Sequence, residues 1–222
     1  DCNKLKYIFV NLGNINIDWT IPENTSISIK DSTGLIQINT DDNNKYFMKY
    51  LKEYHQIQTF VSNNTVFVKK SQLDKIFDIS IDKNTITAIP ELSLINNIDM
   101  IGKFKNLQTL TLNIDNLSSL DLTNNVQLKK LDVSVTDISS LDLTKNIKLK
   151  EINVSNTNIQ SLDVKSNIIL EKLKCSKTKI GSLDLTKNIK LKELETQYTF
   201  LSKLDISTNV NLENLDMQYN HF

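Results

Sequence analysis

The chain has 222 residues, with 26 acidic and 26 basic side chains and a formal net charge of zero. That balance argues against nucleic acid or an acidic membrane surface as the main partner, and every basic residue is lysine, so no planar guanidinium fork is present for phosphate. No run approaches the roughly 18 apolar residues of a transmembrane helix, and four scattered glycines cannot form a phosphate-cradling loop.

Residues 1–76 read as a small α+β region. Short strands are expected at KYIFV from Lys6, NINIDW from Asn14, SISIK from Ser26 and LIQI from Leu35, separated by turn-forming Asn, Gly, Pro and Asp. From Asn44 to His55, Phe47, Tyr50, Leu51 and Tyr54 recur at helical spacing, which predicts a helix whose aromatic side serves core packing. Strands near Thr59 and Val66 and a short helix from Ser71 to Phe77 follow. Such a region is expected to cap the open end of whatever it precedes. Cys2 reads as a free thiol, with a lipid-anchored cysteine as the alternative; Asp1 is not the small residue that such sites follow.

Residues 77–106 are transitional. Leu92, Leu94, Ile98, Ile101 and Phe104 fit a first repeat of slightly different length, with Pro90 just before its strand.

Over 107–222 the pattern recurs at one constant interval without an insertion, from Leu107 through Leu128, Leu149, Leu170 and Leu191 to Leu212. A fixed period of this length marks a solenoid, because one unit cannot bury its apolar side alone. Each unit carries two apolar-polar-apolar triplets, for example Leu131 with Val133 and Leu141 with Leu143, and that alternation predicts two short parallel strands per coil. An asparagine column, Asn125, Asn146, Asn167, Asn188 and Asn209, stands at the bend after the second triplet, where a buried amide can bond turn N–H and C=O groups. At the other bend stand Asp115, Thr136, Thr157, Thr178, Thr199 and Asn220.

Written out, the unit is LxxLxLxxTxIxxLDLxxNxxL, and it resembles the leucine-rich repeat proteins, specifically the bacterial 21-residue subtype with two nested half-units found in some internalin-like surface proteins. The resemblance covers about half the chain. It implies a parallel-stranded leucine-rich repeat solenoid behind a capping region, a non-enzymatic protein-binding role in adhesion or host interaction, and an extracellular or cell-surface address with the leader removed. Some members carry cysteine where Val133, Val154 and Cys175 stand here. The sixth unit stops at Phe222 before its second triplet, which leads us to expect a piece of a longer array.

Chemical motifs are few. Two histidines and two cysteines give no zinc-ligand spacing, and no nucleophile set can be written, so no catalytic residue, metal or cofactor is expected. The row Asp121, Asp142, Asp163, Asp184 and Asp205 should stack about 4.8 Å apart. That spacing raises a carbohydrate-active enzyme or glycan binder as the alternative function, with a structural envelope component as a third. A row repeated identically lacks the unlike environments that acid–base catalysis needs, so a structural role is expected.

The outward middle positions of the first triplet vary while the core columns do not. Asp132, Asn153, Lys174, Glu195 and Asp216, with the aromatic residues Tyr198, Phe200 and Tyr219, are therefore the candidate partner-binding residues.

Overall fold

The computed structural model describes residues 7–10, 26–29, 35–38, 42–62 and 65–221. Cys2, the segment from Asn14 and Phe222 lie outside them.

In the N-terminal region, β1 (Tyr7–Val10) pairs in parallel with β2 (Ser26–Ile29). Strands β3 (Leu35–Ile38), β4 (Thr59–Ser62) and β5 (Thr65–Lys69) form an antiparallel sheet in the order β3-β5-β4. Helix α1 (Asp42–His55) buries Phe47, Tyr50 and Leu51 as its spacing predicts, while Tyr54 stays half exposed. Phe47 meets Phe104 edge to face at 6.0 Å, which joins the helix to the same core as the repeats. The Tyr50 hydroxyl accepts from the Ser80 N–H at 3.0 Å, so α1 is also tied to the first strand of the solenoid. The expected second helix shrinks to one turn, α2 (Lys70–Leu73).

The junction differs from expectation in an instructive way. Its strand is β6 (Asp78–Ile81), well before Pro90, and the short helix α3 (Lys83–Ala88) follows, capped by Asp82, which accepts from the Thr85 N–H at 2.9 Å. Pro90 opens a 3₁₀ turn (Pro90–Leu94), and a second runs over Asp99–Lys103. Proline suits the first position of a helical turn because its φ is preset and its missing N–H would be unpaired there. The apolar residues Ile89, Leu92, Ile95, Ile98, Ile101, Phe104 and Leu107 recur every third residue, and all are buried. A period of three is that of the 3₁₀-helix, in which residues i and i+3 lie over one another. The N–H groups of Leu92, Ile95, Ile101, Phe104 and Leu107 all bond three residues back.

From there one parallel sheet of seven strands runs the length of the solenoid. After β6 it comprises β7 (Thr109–Leu112), β8 (Lys130–Asp132), β9 (Glu151–Asn153), β10 (Lys172–Lys174), β11 (Glu193–Glu195) and β12 (Asn214–Asp216), each beside the next. The register shifts by one repeat at every step. Leu131 lies beside Ile152 and Ile152 beside Leu173, so the core columns stand in file. Burying each such leucine or isoleucine contributes about 1.5–3 kcal/mol, which is the main force holding one coil on the next.

The second triplet supplies apolar side chains to this core, but among the described residues its strand pairing is confined to one bridge, Asn97 with Ser119. Its central aspartate accepts from the N–H two residues on, as in Asp121 to Thr123 at 2.9 Å and Asp142 to Thr144 at 2.9 Å, which ties the segment to the turn that follows. The chain then turns through bonds from the Asn125 N–H to Leu122 O and from the Leu128 N–H to Asn125 O, repeated in each coil.

Those turn bonds also decide what the buried asparagines do. Their Nδ2 groups donate to two carbonyls of the preceding coil, as in Asn146 to Leu122 O and Asn125 O, both at 3.0 Å. Their Oδ1 atoms have no hydrogen-bond partner among the described residues, because the turn N–H groups already have backbone acceptors. The column therefore links coils through its donors alone. At the opposite bend Thr136, Thr157 and Thr178 each donate to the carbonyl three residues back at 2.8 Å, closing the turn within its own coil.

Candidate functional site

The sheet face places Asp132, Asn153, Lys174, Glu195 and Asp216 in one file, as their shared position in the repeat requires. Each is partly covered by its neighbours. Asp132 accepts from Asn113 at 3.2 Å, from the Ser134 N–H at 2.9 Å and from Asn153 at 3.1 Å. The Lys174 ammonium lies 2.8 Å from Glu195 and 2.9 Å from Glu193, and these carboxylates push its pKa up to about 12. Around this file Lys130, Lys150 and Lys172 pair with Glu151, Glu171 and Glu193 of the following coil. Stacking at about 4.8 Å sets opposite charges beside one another, and the face largely neutralises itself.

Tyr198, Phe200 and Tyr219 lie off that file, on the bend past the strand. Tyr198 and Tyr219 stack with ring centroids 4.4 Å apart and an interplanar angle of 7°. Phe200 and His221 stack at 5.7 Å and 9°. All four rings are exposed, Tyr198 at 51%, Phe200 at 56% and Tyr219 at 67%, which is far above what a core aromatic shows.

Tyr198, on which Tyr219 stacks one coil beyond, stands at the last coil of a groove of about 640 Å³ that runs along the bend. Its floor is the threonine column. One wall is Val135, Asn156, Lys177 and Tyr198, and the other includes Asp137, Asn158 and Lys179. The first wall has a backbone cause: Val135, Asn156, Lys177, Tyr198 and Tyr219 all sit at φ between 55° and 59°, in the left-handed region. That conformation reverses the chain sharply after the strand and leaves the side chain exposed. It suits Asn156 but strains the β-branched Val135.

The aspartate row is committed to the turns. Asp121, Asp142, Asp163, Asp184 and Asp205 accept from the N–H two residues on at 2.9–3.1 Å. The Thr186 hydroxyl and N–H, with Lys165, hold Asp184 down at about 2, and the same kind of contact lowers Asp121, Asp142 and Asp205. A general acid needs the opposite shift. Cys175 is fully buried, and desolvation raises its thiol to about 12, so it behaves as a small apolar side chain in the column of Val133 and Val154. Among the described residues no cluster of three metal-ligating side chains occurs, and no helix is long and apolar enough to cross a membrane.

Two features escaped the sequence reading. The groove walls did so because the residues flanking each threonine vary in type, although their position recurs once in every coil. A stripe of exposed β-branched residues, Val126, Ile147, Ile168, Ile189 and Val210, follows the asparagine column and falls outside the alternating triplets.

One parallel sheet, one constant repeat length and stacked asparagine amides define a leucine-rich repeat solenoid. Solved structures similar to it are internalin-type and other leucine-rich repeat proteins. The functional domain of InlJ from Listeria monocytogenes, described as including a cysteine ladder, is 23% identical with a TM-score of 0.47, over 69% of this chain and 42% of that one. A leucine-rich repeat protein of Leptospira interrogans is 17% identical with a TM-score of 0.46, over 68% and 51%. Internalin C2 of L. monocytogenes is 15% identical with a TM-score of 0.39, over 77% and 92%. The chain thus spans less than two thirds of the length of the first two. No protein-family model matches the chain, and neither does any curated protein.

Proposed function

We propose that the chain is a non-enzymatic protein-binding module, acting on a bacterial surface or outside the cell in adhesion or host interaction. Residues 1–76 act as the cap, 77–106 as the first, irregular repeat and 107–222 as the scaffold. A lipid anchor at Cys2 is compatible with that address. The observation that supports the reading is the exposed aromatic patch of Tyr198, Phe200 and Tyr219 on coils whose interior is rigidly stacked. Aromatic side chains offer large contact area with few rotors, and they dominate interface energetics.

A candidate partner recovered by crosslinking from cell-surface extracts and then purified provides the test. By surface plasmon resonance, the variant Tyr198→Ala/Phe200→Ala/Tyr219→Ala should bind it roughly thirtyfold more weakly, a loss of about 2 kcal/mol as expected of a hot spot. Its melting temperature should stay nearly unchanged. Undiminished binding by this variant would remove the patch from the site. The alternative, a glycan-active protein using the aspartate row, requires new reducing ends on incubation with soluble glycans; the capped, acid-shifted carboxylates favour none.

A further inference from the structure

From Asn156 onward the two groove walls carry like groups at each coil, and their chemistry changes in order along the axis. Asp137, opposite Val135, stands at one end with Asp115 in the floor column one coil before it; Asn156 and Asn158 come next, Lys177 and Lys179 follow, and Tyr198 with Phe200 stands last before Tyr219 and His221. Unlike the lysines of the sheet face, the Lys177 and Lys179 ammonium groups join no ion pair among the described residues. Among those residues Asp137 accepts only from the Asn158 amide, at 3.2 Å. The sheet neutralises itself, whereas the groove keeps an acidic end, a basic middle and an aromatic end open to solvent.

The spacing selects the occupant. Asp137, the lysine pair and the Tyr219–His221 end lie two coils apart, or about 9.6 Å at about 4.8 Å per coil. A polyproline II chain advances about 9.3 Å in three residues and returns to the same side each time. Every third residue of such a peptide therefore faces every second coil. Its backbone carbonyls have no internal partners, and the coil between Asp137 and the lysines presents the Asn156 amide, with the second N–H of the Asn158 amide, as donors. Tyr198, the aromatic residue that lines the groove, also suits proline rings.

We propose that the groove binds a proline-rich segment of the partner protein in polyproline II form, with a cationic residue over Asp137, an acidic one over Lys177 and Lys179, and an aromatic one against Tyr219 and His221. This deepens the protein-binding reading and rests on it. The order of charges along the segment is the specific claim. It follows from unpaired charge at fixed spacing, not from the presence of the aromatic patch alone.

Two labelled synthetic peptides, Lys-Pro-Pro-Glu-Pro-Pro-Trp and Glu-Pro-Pro-Lys-Pro-Pro-Trp, test it by fluorescence anisotropy with the whole chain. The first should bind at least tenfold tighter at low salt, and the margin should shrink as salt screens the exposed charges. In the variant Asp115→Lys/Asp137→Lys/Lys177→Glu/Lys179→Glu, shown to be folded by circular dichroism, the order of preference should reverse. Equal affinities, or a preference unmoved by the exchange, overturn the proposal. If both peptides bind equally and the triple aromatic variant loses both, the charge order fails while the aromatic protein-binding reading survives. Binding of neither peptide overturns the groove assignment and leaves that reading to its own test. Binding of cellohexaose in place of the peptides overturns it in favour of a glycan.

Discussion

The sheet face and the groove are built by the same coils, a few residues apart, yet they handle charge in opposite ways. On the sheet, Lys174 finds Glu193 and Glu195, and Lys172 finds Glu193, so stacked neighbours pair across coils. In the groove, like groups face the same channel from Asn156 and Asn158 onward, and the step from Asp137 through Asn158 to Lys179 separates the opposite charges. Repetition alone does not make a recognition surface. What matters is whether neighbours along the axis complement one another and cancel, or are sorted and stay available. The sheet file, which the sequence marks out by its variation, is the region already satisfied from within.

Both regions exist only while the coils hold register, so the largest effect should come from the interior. Asn167→Ala removes the inter-coil bonds to Leu143 O and Asn146 O, which then keep only the turn bonds from the Asn146 and Leu149 N–H groups, and it leaves a gap in the core. At about 0.5–1.5 kcal/mol for each hydrogen bond lost, the loss should be about 1–3 kcal/mol in chemical denaturation. A loss below about 1 kcal/mol would show that the asparagine column does not hold the coils together.

Val135→Gly should act on the groove wall alone. It relieves a β-branched residue at φ 59° and should raise stability by about 0.5–1 kcal/mol. If it destabilises, the left-handed bend is not strained and the wall has another cause.

Lys174→Met should lower stability by less than about 1 kcal/mol, because its ion pairs are partly exposed. It should leave peptide binding in the groove unchanged. A fall in that binding would join the two regions into one site.

The smallest effect concerns acid. The folded pKa of Asp184 lies near 2, below its usual value, so its contribution is complete above about pH 4 and is lost as pH falls through about 2. Between those limits the melting temperature should drop less steeply for Asp184→Ala than for the parent. An identical slope would mean that the turn does not depend on the carboxylate.

The repeat was readable because it is strict: Leu131, Ile152 and Leu173 occupy one position in the motif and one file in space. The N-terminal helix was readable from Phe47, Tyr50 and Leu51 at helical spacing. Two readings went astray where a short pattern has more than one solution. Leu141 and Leu143 alternate like a strand, but the segment does not pair and runs into the turn closed by the Asn146 N–H on Leu143 O. The apolar residues from Ile89 to Leu107 hold a period of three that fits a 3₁₀ turn better than a variant strand.

From residue order alone came the coil length, the identity of the core columns and the buried amide at each bend, because stacking so strict an apolar period admits no other inside. Only the folded chain decided which lysines would meet a glutamate and which would stand alone, since that depends on where each side chain points after the strand. The left-handed bend past the strand sets that direction at Lys177 and Tyr198, and no one-dimensional pattern records it.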